Sequence, residues 1–227
     1  MQQLTNLDAS FLSLESRRSP MHIGCVLTFD SSQSENMSFE RFQRHVVSRL
    51  PSSPVFRRRL SKLPLSLDLP YWVDDRHFDI GNHIEHVELQ GIHSDEQRQA
   101  FINCFFSEPL NLDNPLWEIM FMDNRDHNQS EFYVLLKIHH SAVDGMSAEK
   151  ILTGLMSTES DAPAPLEDNW KPESPSISRM LGNRLQSLVQ APRNFSVFTQ
   201  QLADSIKHSV QLRQSEKGHS PTFFMSP

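Results

Sequence analysis

Two adjacent imidazoles, His139 and His140, are followed by the carboxylate of Asp144 and then by Gly145. Of all side chains, a neutral imidazole with a pKa near 6.5 is best suited to accept a proton at neutral pH. The pair closes an apolar run, residues 132 to 138 (FYVLLKI), that reads as a buried strand. Successive side chains on a strand face opposite ways. One ring is therefore expected to face a cleft and the other to be held in the protein. That divergence counts against a two-histidine metal site, which would space its ligands to share a face, as at i and i+4 of a helix. Asp144 could orient an imidazole, as in a catalytic triad, or pair with an arginine to hold the shape of an Asp-Gly turn. The sequence leaves both open. Gly145 supplies backbone freedom just ahead of an amphipathic helix beginning near Ser147. Ser141 has no strained elbow motif around it and is the weaker candidate for a nucleophile. A histidine pair satisfied inside the core is the competing structural explanation.

The remaining elements must position that strand end. Residues 7 to 14 (LDASFLSL) suit a short helix, with Phe11, Leu12 and Leu14 available for packing. Residues 21 to 29 (MHIGCVLTF) form the first strand candidate, broken by Gly24. Ser38 caps a helix to Leu50, with Phe39, Phe42, Val46 and Val47 at helical spacing, and Pro51 stops it. Three successive arginines, Arg57 to Arg59, fall in a strand candidate. Alternation keeps them from acting together; a solvated edge and an anion site are equally open, and one arginine could be the internal partner of a carboxylate. Residues 70 to 73 (PYWV) and 83 to 89 are further strands. Ser94 and Gln97 precede the helix carrying Phe101, Ile102, Cys104, Phe105 and Phe106. Pro115, Leu116, Trp117 and Glu118 open a strand over 119 to 122, and the polar residues 124 to 130 make it one arm of a hairpin with the central strand.

Residues 158 to 175 are acidic and proline-rich and read as a linker. Beyond them lie two helical stretches, about 176 to 190 and 194 to 213, and the final SPTFFMSP reads as a chain that continues. The expected organisation is thus a domain over 1–157, a linker over 158–175, and a helical segment over 176–227 that starts a further domain.

Composition bounds the possibilities. Lys+Arg 21 against Asp+Glu 28 gives a net charge of -7, which argues against phosphate-backbone binding to nucleic acid. Hydrophobic content of 37% and charged content of 22% are those of an ordinary globular protein. Cys25 and Cys104 lie in apolar segments and read as buried thiols. His77, His83, His86 and His93 are scattered through a charged stretch and read as surface residues rather than a metal cluster. No apolar run reaches the roughly 18 residues of a membrane span, and the N-terminus lacks the pattern of a secretory signal. The expected location is cytoplasmic, with peripheral membrane contact open.

At this point the residues carry a family. HHSAVDG (139 to 145) resembles the HHxxxDG motif of CoA-dependent acyltransferases. The words LTNLDASFLSLE, PMHIG, FRRRL, PYWV and PLWE, in that order along residues 4 to 118, are similar to the bacterial wax ester synthase/diacylglycerol acyltransferase family. The resemblance runs from about Leu4 to Gly154. It implies an α/β (α+β) fold of the chloramphenicol-acetyltransferase type, a mixed sheet flanked by helices, followed by a linker and helices. It also implies transfer of a fatty acyl group from acyl-CoA to diacylglycerol or a long-chain alcohol. By this resemblance His140 is the general base with His139 beside it, and Asp144 and Gly145 are structural. Pro115, Leu116 and Trp117 are site-shaping, with core packing of Trp117 an equal alternative. Acyl-CoA is a substrate and no cofactor or metal is needed. Contact with a membrane or lipid-droplet surface follows from insoluble substrates. Family members have two domains, and this chain covers the first. It is therefore expected to be a partial form with weak or no activity alone, the alternatives being a non-catalytic acyl-CoA- or lipid-binding remnant and a condensation-type acyltransferase domain.

Overall fold

In a computed structural model, residues 1–31, 37–61, 68–89, 94–123, 131–143, 145–155 (backbone only at 145–147), 166–173, 176 and 178–182 are described. The chain divides into two compact units, Met1–Pro175 and Ser176–Pro227. In the second, residues 178–182 are helical. The rest of the two C-terminal helical stretches, the turn 124–130, His93 and Asp144 lie outside the described residues.

The first unit is built on a mixed four-stranded sheet, with strand order β2-β7-β6-β5. Strand β2 (His22–Asp30) runs antiparallel to β7 (Glu131–His139), and β7 antiparallel to β6 (Trp117–Asp123). Strand β5 (Ile84–Glu88) is parallel to β6. A parallel pair needs a crossover, and helix α3 (Asp95–Ser107) supplies it. β6 and β7 pair as a hairpin would, as their apolar runs and intervening polar residues predict. A smaller antiparallel sheet joins β1 (Gln2–Gln3), β4 (Tyr71–Asp74) and β3 (Arg58–Ser61).

Because β7 lies inside the sheet and is covered on both faces, its residues 132 to 136 are continuously apolar rather than alternating. Val134, Leu136 and Ile138 pack with Phe42 and Val46 of α2 (Phe39–Arg49) and with Ile151 and Leu155 of α4 (Gly145–Leu155). Tyr133 and Leu135 face the other way, against Phe105 and Ile102 of α3. A third cluster, Leu4, Ala9, Leu60, Leu110 and Leu116, seats α1 (Asn6–Leu14) beside the small sheet. Thr5 and Asp8 form a capping box that starts α1, a feature worth about 1 kcal/mol. Ser38 and Ser94 cap α2 and α3.

Four expectations are corrected. Cys104 is exposed and Cys25 half-buried, because α3 turns Phe105 inward and leaves Phe101 and Cys104 on its outer side. Leu14 is likewise 64% exposed rather than packed. His83 is 3% exposed, its ring stacked between Phe78 and Trp117. Of the residues read as linker, 166–173 pack within the first unit. Asp168 binds Arg57 through both carboxylate oxygens at 2.7 Å, and the Glu173 N–H donates to Asp74 at 2.9 Å.

Gly24 has a steric reason. A Cβ there would lie 2.1 Å from Cε1 of Phe106 and 2.8 Å from the Leu136 carbonyl oxygen on the neighbouring strand. Phe106 can swing away, but the carbonyl belongs to the sheet. Gly24→Ala is expected to cost about 1–3 kcal/mol by overpacking, seen as a lower urea midpoint. An unchanged midpoint would show that β2 and α3 separate freely.

Candidate active site

The two imidazoles part as strand geometry requires. His139 is the last residue of β7 and is fully buried, with 0% exposure. Its backbone N–H donates to the Leu116 carbonyl at 3.0 Å, and the next N–H, of His140, donates to the Met21 carbonyl at 2.8 Å. The chain then enters a short 3-10 turn over His140–Ala142. His140 is half-buried at its start. Its ring stacks on Phe11 of α1, with centroids 4.9 Å apart and planes 17° from parallel. A contact of this kind is worth about 0.5–1.5 kcal/mol and limits rotation of the imidazole.

His139 is held neutral. Its Nδ1 accepts the Ser141 backbone N–H at 3.0 Å and lies 2.7 Å from the Ser141 hydroxyl. Burial, with lesser repulsion from His140 and His22, lowers its pKa to about 4. His22, directly across the sheet from His139, has its Nε2 3.0 Å from the Phe106 carbonyl. Since a carbonyl only accepts, that nitrogen carries the proton. Burial, then the charge of Lys137, lowers the pKa of His22. Neither ring shares a ligand set with His140, and the described residues contain no cluster of three or more His, Cys, Asp or Glu able to hold a metal ion. Ser141 serves His139 as a buried partner. Its hydroxyl meets the His139 Nδ1, but the side chain is only 3% exposed, so the contact serves to hold the ring rather than to present a nucleophile.

The residues of the Pro-Leu-Trp word separate into two roles. Leu116 is fully buried and its carbonyl fixes the strand end through His139. Trp117 is core. Its indole N–H donates to the Phe56 carbonyl at 3.0 Å, and its ring stacks on His83 at 4.5 Å. Pro115 is buried, and its carbonyl accepts the Trp117 N–H at 2.9 Å. Gly145 is the first residue of α4. Beside the turn, a groove of about 230 Å³ is lined by Ser141, Ala142, Val143, Asp8, Arg58 and Trp72. Sequence reasoning did not single out Phe11 or His22 as neighbours of the pair. The signals for them were their places in the LDASFLSLE and PMHIG words.

Against this geometry, a sequence model of the wax ester synthase/diacylglycerol acyltransferase catalytic domain matches residues 4–226. The chain belongs to this family. The match reaches well past Gly154, so the C-terminal segment is part of it. Among relatives, "Probable diacyglycerol O-acyltransferase tgs3" of Mycobacterium tuberculosis is 33% identical over 180 residues, 79% of this chain and 65% of that protein. "Probable diacyglycerol O-acyltransferase tgs1" of the same species is 31% identical over 157 residues, 68% of this chain and 33% of that one. A solved wax ester synthase/diacylglycerol acyltransferase from Marinobacter aquaeolei VT8 is similar with a TM-score of 0.58 and 26% identity, covering 85% of this chain and 47% of that chain. The starter condensation domain of rhizomide synthetase matches at TM-score 0.59 and 16% identity, over 91% of this chain and 45% of that one, a likeness of fold alone. The chain thus spans between a third and about two thirds of the length of these relatives. The fold is the chloramphenicol-acetyltransferase-like α/β fold expected from the family words.

The family's histidine word therefore sits at the end of an internal strand whose first imidazole is sealed and neutral. That has a thermodynamic consequence. An unfolded histidine protonates near pH 6.5, whereas folded His139 does so only near 4, so between these values the unfolded state binds more protons. Stability is expected to be full above pH 6.5 and to fall as the pH drops toward 4, with His22 and His83 acting in the same direction. The slope is at most about 1.4 kcal/mol per pH unit per such histidine. Urea titrations at pH 7 and pH 5 measure it, and equal stabilities at both would contradict neutral burial of His139.

Proposed function

We propose that the chain is the histidine-bearing part of an O-acyltransferase that moves a fatty acyl group from acyl-CoA to the hydroxyl of diacylglycerol or of a long-chain alcohol. One observation carries the assignment of roles within the family site: the two imidazoles divide, His139 sealed inside and neutral, His140 half-buried on a turn. Of the two, only His140 has a ring that a substrate can approach.

In this reading His140 takes the proton of the acceptor hydroxyl as the oxygen attacks the thioester carbonyl. The carbon–sulfur bond breaks, and the imidazolium returns the proton to the departing CoA thiolate. The ester forms with no acyl-enzyme, and acyl-CoA enters as a substrate with no further cofactor. The stack on Phe11 keeps the ring in one plane during both transfers. Asp144 and Gly145 shape the turn into α4 in this scheme, and Leu116 anchors the strand end. Lipid acceptors suit the surroundings: Leu7 and Leu14 of α1, on either side of Phe11 in sequence, are 68% and 64% exposed. We place the protein in the cytoplasm, working peripherally at a membrane or lipid inclusion. No described helix is long and apolar enough to cross a membrane. Sequence identity to relatives named diacyglycerol O-acyltransferases, against a 16% likeness of fold to condensation domains, favours a lipid hydroxyl as the acceptor.

The test follows CoA release from palmitoyl-CoA, with hexadecanol or diacylglycerol as acceptor and ester formation scored in parallel. His140→Ala is expected to lower kcat by about 10²–10⁴-fold, the usual span of general-base catalysis, with a melting temperature close to that of the parent. Unchanged turnover would remove His140 from the mechanism. Binding of palmitoyl-CoA with no turnover in the unsubstituted protein would favour a lipid-binding role instead.

A further inference from the structure

The neutral ring of His139 accepts at Nδ1, so its proton is on Nε2. That nitrogen is buried and has no hydrogen-bond partner. It points to a specific neighbour. Oε1 of Glu15 lies 3.4 Å away, on a side chain only 9% exposed, an ion-pair distance outside hydrogen-bond geometry. With this carboxylate alongside, burial and then repulsion from His140 and His22 still lower the His139 pKa to about 4. The contact is therefore one between a carboxylate and a neutral N–H.

Glu15 is the C-cap of α1, and its own N–H donates to the Phe11 carbonyl at 3.1 Å. The same Oε1 accepts the Met21 N–H at 3.4 Å, and the Met21 carbonyl in turn accepts the N–H of His140 at 2.8 Å. Two routes thus run from one carboxylate to the turn. One passes through His139 to the backbone of Ser141, and the other through Met21 to the backbone of His140. Phe11, one helical turn back, closes on the His140 ring from above.

We propose that Glu15 is a positioning residue for His140, holding the imidazole against Phe11 through His139 and Met21 without touching substrate. The inference rests on the reading of His140 as the base, but its geometry is tested apart from turnover. Because the partner is a neutral N–H, an amide oxygen can replace the carboxylate, whereas a side chain shorter by one methylene does not reach.

The experiment records ¹H–¹⁵N spectra of the histidine rings in the whole protein, with His86, stacked on Phe39, as an internal reference. The His140 ring protons are expected to be shifted upfield by the Phe11 face. Glu15→Gln should keep that shift and the Nε2–H form of His139. Glu15→Asp and Glu15→Ala should each lose more than half of it while the His86 signals stay in place. Equal His140 shifts in the Gln and Asp variants would overturn the proposal, and this pair decides the matter even if the Ala variant does not fold. Turnover of His140→Ala is read separately: if it is unchanged, the base assignment falls while the positioning result stands.

Discussion

Two backbone hydrogen bonds at one strand end carry the arrangement of the site. The N–H of His139 is held by Leu116 on one side of β7, and the N–H of His140 by Met21 on the other. With the strand pinned to both neighbours, its period of two does the rest, sending one imidazole inward and freeing the next for the turn. A slip of one residue would exchange the two rings. Register is therefore part of the chemistry, and the apolar clusters on both faces of β7 enforce it. β7 pairs with β2 over nine residues and with β6 over seven in this register.

The polar groups on the α3 face reinforce that register. Lys137, two residues before His139, is 2% exposed, and its ammonium meets the carbonyls of Phe105 and Glu108 at 3.0 Å and the Glu118 carboxylate at 2.9 Å. The two carbonyls accept hydrogen bonds and the carboxylate forms an ion pair, three oxygens about one ammonium. Two of these belong to the C-terminal end of α3, where the helix dipole favours a cation. A buried ion pair is weak evidence of net stability. Here it fixes where α3 ends relative to β7, and the same helix end supplies the carbonyl of Phe106 to His22. Lys137 thus carries the positive charge of this face, and the buried imidazoles of His22 and His139 remain neutral beside it.

Much of this was legible in the residues. The apolar run into His139-His140 predicted an internal strand, and strand alternation alone predicted that the rings diverge. Serine caps placed the starts of α2 and α3, and the proline at 51 placed the end of α2, to within a residue. What escaped is what depends on contacts distant in sequence. Phe11 meets His140 and Glu15 meets His139 across more than a hundred residues, and no local pattern encodes which face of α1 turns to the strand. His83 was misread because a histidine in a charged stretch looks solvated, yet its Nδ1 finds the Trp117 carbonyl at 2.9 Å and its faces find two aromatic rings. Cys104 was misread because α3 carries more apolar residues than it buries. Asp144, the third polar member of the word, lies outside the described residues, and its role stays where the family resemblance puts it.

The arginine run shows how such long-range pairing shapes the surroundings of the site. Arg57 ends a 3-10 turn and Arg58 begins β3, so the three side chains leave the backbone in different directions. Each meets a carboxylate: Arg57 meets Asp168, Arg58 meets Asp74 at 3.2 Å, and Arg59 meets Asp75 at 3.7 Å. Arg57 also lies over the Trp170 ring. The run is thus a clasp rather than an open anion site. It ties residues 166–173 and the small sheet together, and Arg58 stands in the wall of the groove beside Ser141–Val143. Since Trp117 donates to Phe56 at the start of the same run, the clasp is fastened to β6 as well. The wall facing the histidine turn is therefore held from the large sheet, the small sheet and the acidic segment at once.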